Sequence, residues 1–207
     1  MVRASGEATV TAKPDRAQVS IGVQTQAATA QKASAQNAAQ TSHVLDLVKR
    51  TLGNGGEVKT AGYSVSPQYQ YPKDGSPAKV VEYQASNTVE VTIDDLSLTS
   101  KVIDAATQSG ANRIEGISFT LKDDSAVRSR ALAQAAVKAR ASAEAIAKAL
   151  NLRVVGVLRA DAGGEAPPVR PMMMRAFSST REAAPSTPVE AGNLDVHATV
   201  TVTLAVQ

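Results

Sequence analysis

Alternation of apolar and polar residues dominates this sequence and predicts a fold rich in β-strands. From residue 194 to 206 every second position is apolar, and residues 81–93 repeat the pattern with Asn87 as the exception. Strands of this kind bury one face and leave the other in water, as antiparallel sheets commonly do. Pro67 lies within a further alternating segment, residues 63–71, and a proline at this position predicts an edge strand or a bulge. The other predicted strands cover residues 5–12, 16–26, 117–121 and 152–160.

Three segments, residues 29–52, 96–109 and 125–150, have the spacing of amphipathic helices instead. The first is predicted to bury residues along one side: Ala30, Ala33, Asn37, Thr41, Val44, Leu45, Val48 and Leu52. Aspartates precede the other two helices and are predicted to cap their amino termini. These aspartates are Asp94, Asp95, Asp123 and Asp124.

The third helix is rich in alanine and carries little bulk. Its predicted contact line consists of Leu132, Ala136, Ala139, Ala143, Ile146 and Leu150. Alanine permits a close approach of two backbones and has the highest helix propensity, so a thin, stable helix lying on a sheet is expected. A second hypothesis is that part of this helix packs against another subunit.

Together these elements predict an α+β fold, a single domain of residues 1–207. A mostly antiparallel sheet would carry the two long helices on one face. The order strand, helix, strand, strand occurs over residues 16–93 and again over 113–206, which raises the hypothesis of an internal β-α-β-β duplication. Residues 161–192 break the pattern with a long loop rich in Pro and Met. Loops of this length are typically functional or disordered.

Composition excludes several classes of function. The chain has no cysteine, so disulfides, zinc–thiolate sites and cysteine nucleophiles are excluded. The net charge is only +3, and the main basic cluster lacks neighbouring aromatic residues, so no nucleic-acid partner is predicted. That cluster consists of Arg128, Arg130, Lys138, Arg140 and Lys148. No apolar run approaches the roughly 18 residues of a membrane helix, and the chain is predicted not to be transmembrane.

Candidate chemical groups are few. His43 and His197 are interpreted as solvated surface residues, and no metal site or cofactor is predicted. The soft thioethers of Met172, Met173 and Met174 could bind Cu(I), but burial or a subunit contact is the preferred interpretation.

Motifs of the common catalytic classes are missing. No G-x-S-x-G motif occurs, and residues 53–56 lack the Lys-Ser/Thr of a phosphate-binding loop. The aspartate pairs are interpreted as helix caps rather than catalytic acids. The sequence therefore predicts no catalytic residues and no enzyme.

Several motifs occur in a fixed order along the chain. They cover residues 6–10, 13–17, 63–71, 82–86, 110–119, 138–140 and 190–193. Through these motifs and their order, the chain resembles the SIMPL-domain family over nearly its whole length. The most specific stretch is 110–119, GANRIEGISF.

The resemblance implies a bacterial exported protein, located in the periplasm or associated with the outer membrane. Members of that family assemble into large rings in some cases, and others are linked to oxidative-stress tolerance or are recognised as surface immunogens. The family offers no agreed catalytic motif. A leader peptide would have been removed, with Met1 an added start.

Three functional hypotheses follow. The first is a non-enzymatic envelope protein with a structural or stress-protective role, acting as a homo-oligomer with an envelope protein as a further partner. The second is a periplasmic module that binds a small ligand or lipid in a pocket between the helices and the sheet, near Tyr63, Tyr69, Tyr71 and Tyr83. The third is an enzyme whose site the sequence does not reveal.

Overall fold

The computed structural model describes residues 1–73, 77–163 and 189–207. The strands are β1 (Val2–Ala12), β2 (Arg16–Ala27), β3 (Gly56–Gln70), β4 (Lys79–Ile93), β5 (Arg113–Thr120), β6 (Val154–Ala162) and β7 (Leu194–Val206). The helices are α1 (Ala30–Leu52), α2 (Thr99–Gln108) and α3 (Ser125–Ala149), and a 3-10 turn (Leu96–Leu98) precedes α2. Met172, Met173 and Met174 lie outside the described residues, so the hypotheses about them stay predictions.

The predicted α+β fold with antiparallel strands and two long helices is confirmed, but the strands form two sheets. The first sheet has the order β1-β7-β6 and the second β3-β4-β2-β5, and every pairing is antiparallel. Each sheet carries one long helix on its apolar face. The chain divides into two compact units accordingly, and its description as one domain of residues 1–207 stays a prediction.

Unit 1 contains the first sheet and α3. On β7, alternate residues from Leu194 to Leu204 are buried against the helix, as the alternation predicted. The other face of the sheet is polar, and cross-strand hydrogen bonds join β1 to β7 along it. Ser5 Oγ lies 2.9 Å from Thr201 Oγ1, and Thr11 donates to Asp195 at 2.7 Å.

The helix α3 contacts the sheet at the backbone of β1. A Cβ atom placed on Gly6 would lie 2.3 Å from Ala139 N and 2.4 Å from Ala135 O. Such distances are far below van der Waals contact, so only glycine fits at this position while the helix stays in place. The predicted close approach of α3 is thereby confirmed, and the partner is a glycine in a strand.

The predicted contact line of α3 is wrong at its carboxyl end, because Ile146 is 42% and Leu150 61% exposed. The buried residues instead repeat every fourth position: Val127, Ala131, Ala135, Ala139, Ala143 and Ala147. A row of i, i+4 side chains is one of the ridges by which helices pack, and small residues along it bring the helix axis close to the sheet. The larger Ile146 and Leu150 lie beside this row and stay in solvent.

Unit 2 contains the second sheet, α1 and α2. The prediction for α1 is confirmed, since its predicted side is buried or half-buried throughout. Thr29 caps the helix by accepting a hydrogen bond from Lys32 N, and Gly53 ends it with a φ of 54°. Aliphatic residues of β2 and β4 face α1 and α2 and form the core: Val19, Ile21, Val23, Val89, Val91 and Ile93.

A buried amide ties α1 to this sheet. Asn37 is fully buried, and its Nδ2 donates to Val23 O at 2.8 Å and to Ala85 O at 3.2 Å. These carbonyls belong to the neighbouring strands β2 and β4, so a single side chain fixes the helix to both. A buried polar group is tolerated in a core only with such partners.

We expect Asn37→Ala to reduce the free energy of unfolding by about 2 kcal/mol, because both buried carbonyls lose a donor. Urea unfolding followed by circular dichroism measures the change. The matched control is Gln36→Ala, next to it on the exposed side of α1, which should change stability by about 0.5 kcal/mol or less. Equal losses in the two variants would contradict the anchoring role of Asn37.

The two sheets share a strand order. In each sheet a strand and a helix come before two consecutive antiparallel strands. The second of these two strands pairs with the strand before the helix, giving β1-β7-β6 and β2-β4-β3. However, β5, which was assigned to a second repeat over 113–206, pairs with β2 in the second sheet. The internal duplication therefore stays a prediction. The edge position predicted from Pro67 is confirmed, since β3 is an edge strand.

Candidate functional site

The two histidines belong to different units. In unit 2, His43 Nδ1 donates to Ser109 O at 3.2 Å, and in unit 1, His197 Nδ1 lies 2.7 Å from Thr9 Oγ1. Both side chains are exposed. Within the described ranges no three His, Cys, Asp or Glu residues gather closely enough to hold a metal ion.

The aspartates before the helices make local contacts. Asp95 accepts hydrogen bonds from the hydroxyl and the backbone N–H of Ser97 at the 3-10 turn. Asp123 accepts from Ser125 N at 2.8 Å. These contacts with serine lower the pKa of both carboxyl groups.

The other two aspartates form ion pairs. Asp94 binds Arg16, with both guanidinium distances at 2.8 Å, and Asp124 lies 2.8 Å from Arg128 on the next helical turn. Asp124 occupies the N-cap position of α3 without a side-chain capping hydrogen bond, and the N-cap of α2 is Leu98. The capping predicted for Asp124 is therefore wrong, whereas Asp95 caps the 3-10 turn before α2.

The predicted tyrosine pocket does not have the expected form. All four tyrosines lie on or next to the hairpin of β3 and β4, within unit 2. Tyr63 is 56%, Tyr69 52% and Tyr71 78% exposed. Such side chains form an open surface rather than the wall of an enclosed pocket, because β3 is an edge strand and the hairpin extends past the end of β2 at Ala27.

A cleft lies in unit 1, and no motif in the sequence predicted it. It has a volume of about 800 Å³ and is lined by Met1, Arg3, Leu158, Arg159, Asp161 and Thr203. The residues come from all three strands of the first sheet. Its lining combines two guanidinium groups and a carboxylate with apolar Leu158 and Met1, so it is suited to contacts with an amphipathic partner.

The strand β6 forms one side of this cleft and is the most unusual element of unit 1. All of its residues except Val154 and Asp161 are exposed, including Val155 (63%), Val157 (52%) and Leu158 (57%). Large exposed apolar surfaces on a protein commonly mark sites of interaction. In the sequence the run VVGVL has no polar alternation, and this run predicts a strand without indicating that it is exposed.

The segment 110–119, the most specific part of the family resemblance, has a structural role at its start. Gly110 has a φ of 110°, and its carbonyl accepts a hydrogen bond from Gln40 Nε2. Asn112 binds the backbone of Gln24 twice, accepting from its N–H at 2.9 Å and donating to its C=O at 2.7 Å. The amide thus continues the ladder between β2 and β5 by one residue.

We expect Asn112→Ala to lower the free energy of unfolding by about 1 kcal/mol, since two exposed hydrogen bonds to the strand are lost. Thermal unfolding and amide exchange at the end of β2 measure the effect. The exposed turn residue Asn54 supplies the control variant, Asn54→Ala, with little expected change. Unaltered exchange at Gln24 in Asn112→Ala would argue against this contribution.

Among the helices of the described ranges, none combines the length and the apolar character needed to cross a membrane.

Two periplasmic proteins of the same name are similar to this chain over its whole length. The 26 kDa periplasmic immunogenic protein of Brucella melitensis biotype 1 is 27% identical over all of this chain and 84% of its own length. The protein of the same name from Brucella abortus (strain S19) is also 27% identical over the same shares.

The uncharacterized protein YggE of Escherichia coli (strain K12) is 32% identical over 61% of this chain and 51% of its own length. This match therefore spans about half of that relative. The model of the SIMPL family, described as a protein of unknown function (DUF541), matches residues 2–204. Because the match covers nearly every residue, the chain belongs to the SIMPL family.

Proposed function

We propose that the chain is a non-enzymatic protein of the bacterial envelope that works in the periplasm as an oligomer, in a structural or stress-protective role. The observation that carries the proposal is the exposed apolar edge strand β6. The periplasmic relatives of similar length support the compartment. Association with the outer membrane and contact with another envelope protein belong to the same proposal.

The argument for assembly is physical. An edge strand has unpaired backbone N–H and C=O groups, and monomeric proteins protect such edges with charges, prolines or covering elements. The strand β1, the other edge of the first sheet, follows this rule, since its outward side chains include Arg3, Ser5 and Glu7. The strand β6 also carries the charged Arg159 and Asp161, but beside them it exposes the apolar side chains of Val155, Val157 and Leu158. An assembled protein would cover these side chains.

The oligomeric state is tested by light scattering coupled to gel filtration over a hundredfold range of protein concentration. A mass above that of the 21.4 kDa chain that persists or rises with concentration is expected. A strict monomer throughout the range would contradict the assembly.

The stress-protective role is tested by survival of a gene-deletion strain in hydrogen peroxide, with and without the restored gene. Equal survival of the two strains would remove that role.

A second function is favoured by the cleft of about 800 Å³ in unit 1. Its lining, with Arg3 and Arg159 beside Leu158, is suited to an amphipathic small molecule or lipid with an acidic group. Native mass spectrometry of protein purified from the periplasm would detect a bound molecule. Release of that molecule in Arg3→Ala supports the cleft as its site, and a ligand-free spectrum contradicts the second function.

A further inference from the structure

The outer edge of β6 has backbone groups directed away from the sheet. The N–H of Gly163, the residue after β6, donates to Thr199 O on β7 at 2.8 Å. The direction of the backbone groups alternates along an antiparallel strand. Asp161 and Arg159 therefore direct their groups toward β7, and Ala162 and Ala160 direct theirs to the open edge. A further strand can bond to this edge at the alanines.

The charges of β6 are arranged symmetrically about Ala160. Arg159 lies opposite Thr203 and Asp161 opposite Thr201, so both side chains are on the polar face of the sheet. Within one chain they form an ion pair, with Arg159 Nε 2.6 Å from Asp161 Oδ2. The sequence Arg-Ala-Asp has opposite charges at equal distances from its centre. It is therefore complementary to an antiparallel copy of itself.

We infer that β6 pairs antiparallel with β6 of a second copy of this chain, across a twofold axis at Ala160. The inference rests on the oligomer in the proposed function and names its interface. Ala160 would exchange two backbone hydrogen bonds with Ala160 of the second copy. Arg159 would lie opposite Asp161 of the second copy twice, in non-hydrogen-bonded pairs whose side chains are close.

Charge selects this register among the neighbouring ones. An axis at residue 159 would place Arg159 opposite itself, and an axis at residue 161 would do the same for Asp161. Like charges directly opposite each other on adjacent strands are destabilising. With the axis at Ala160, the two first sheets form one sheet of six strands.

The decisive experiment reverses the charges in the full chain. Arg159→Asp and Asp161→Arg each place like charges opposite each other, and we expect each to raise the dissociation constant at least about tenfold. The double variant R159D/D161R restores opposite charges and should return the constant to within about threefold of the original chain. The matched control is Lys138→Glu, which changes the net charge by the same amount at an exposed position of α3 and should leave the dissociation constant unchanged. Sedimentation velocity measures the constants, and circular dichroism confirms folding.

Crosslinking gives a second measurement. The chain has no cysteine, so Ala160→Cys introduces a single thiol. In a hydrogen-bonded antiparallel pair the Cα atoms are about 5.5 Å apart, which is within the range of a disulfide. Mild oxidation should convert Ala160→Cys to a covalent dimer, whereas the exposed helical variant Ser142→Cys should remain largely monomeric.

The outcomes separate the inference from the proposed function. If the original chain is oligomeric and single reversals leave its mass unchanged, the β6 interface is wrong while the oligomer stands. The same conclusion follows if the double variant stays as weak as the single variants, or if Ser142→Cys crosslinks as readily as Ala160→Cys. A strictly monomeric original chain overturns both.

Discussion

Replacing Gly6 by alanine is expected to destabilise unit 1 by about 3 kcal/mol or more, at the upper end of the cost of overpacking. The added Cβ would lie 2.3 Å from Ala139 N and 2.4 Å from Ala135 O. Both are backbone atoms of α3, so no side-chain rotation relieves the clash. The helix must move away from β1, and the row of buried alanines then loses its contact with the sheet.

The effect is measured as the urea midpoint by circular dichroism and as amide exchange in peptides from α3. Exchange in α1, which belongs to unit 2, is the internal reference. The control is Gly156→Ala in β6 of the same sheet, where a Cβ has nothing within 4 Å. That change should be neutral or stabilise slightly, since alanine narrows the unfolded ensemble. A Gly6→Ala protein as stable as Gly156→Ala would disprove the close packing.

Leucine at position 139 is expected to have an effect of similar size from the helix side, a loss of about 3 kcal/mol. Ala139 is fully buried in the row that faces the first sheet, and its backbone nitrogen is the atom nearest to the space above Gly6. A larger side chain there forces α3 off the strand or takes a strained rotamer. Helix propensity changes little between alanine and leucine, so packing accounts for the loss.

The matched control for this prediction is Ala141→Leu, two residues further on the exposed side of the same helix. Urea unfolding of both variants gives the comparison, with Ala141→Leu expected within about 0.5 kcal/mol of the original chain. If Ala139→Leu unfolds at the same urea concentration as Ala141→Leu, the helix does not lie as close to β1 as the structure indicates.

The two replacements act on one contact, so their effects should not add. Either change displaces α3 from β1, and after that displacement the second change meets a wider space. We expect the double variant to be less destabilised than the sum of the single variants, as neighbouring sites commonly show.

Alternation predicted the position of each strand, because each side of a sheet has one environment, but β3 begins seven residues and β5 four residues before the predicted start. The predicted strand 194–206 matches β7 to the residue, and the buried side of α1 was predicted from its periodicity. Strand pairing was not predictable in the same way. The division into two sheets depends on contacts such as β1 with β7, which are far apart in the chain.

The candidate site also depends on contacts between distant segments, which the sequence pattern does not predict. The tyrosines were noted for their chemistry, but the predicted pocket depends on what covers them, and the edge position of β3 leaves them exposed. The exposed face of β6 was not anticipated, since an apolar run is normally read as buried. Its exposure follows from its place at the end of the order β1-β7-β6, while α3 packs mainly on β1 and β7.

The sequence by itself determined the type of each element, because alternation, helical spacing and the capping residues act within a few neighbouring positions. It also determined that the core is aliphatic, since aromatic residues make up only 3% of the chain and tryptophan is absent. Only the tertiary structure decided that Gly6 receives the backbone of α3 and that, among the described residues, no strand pairs with the outer edge of β6. Both depend on which distant strands pair, and that choice belongs to the packing of the whole unit.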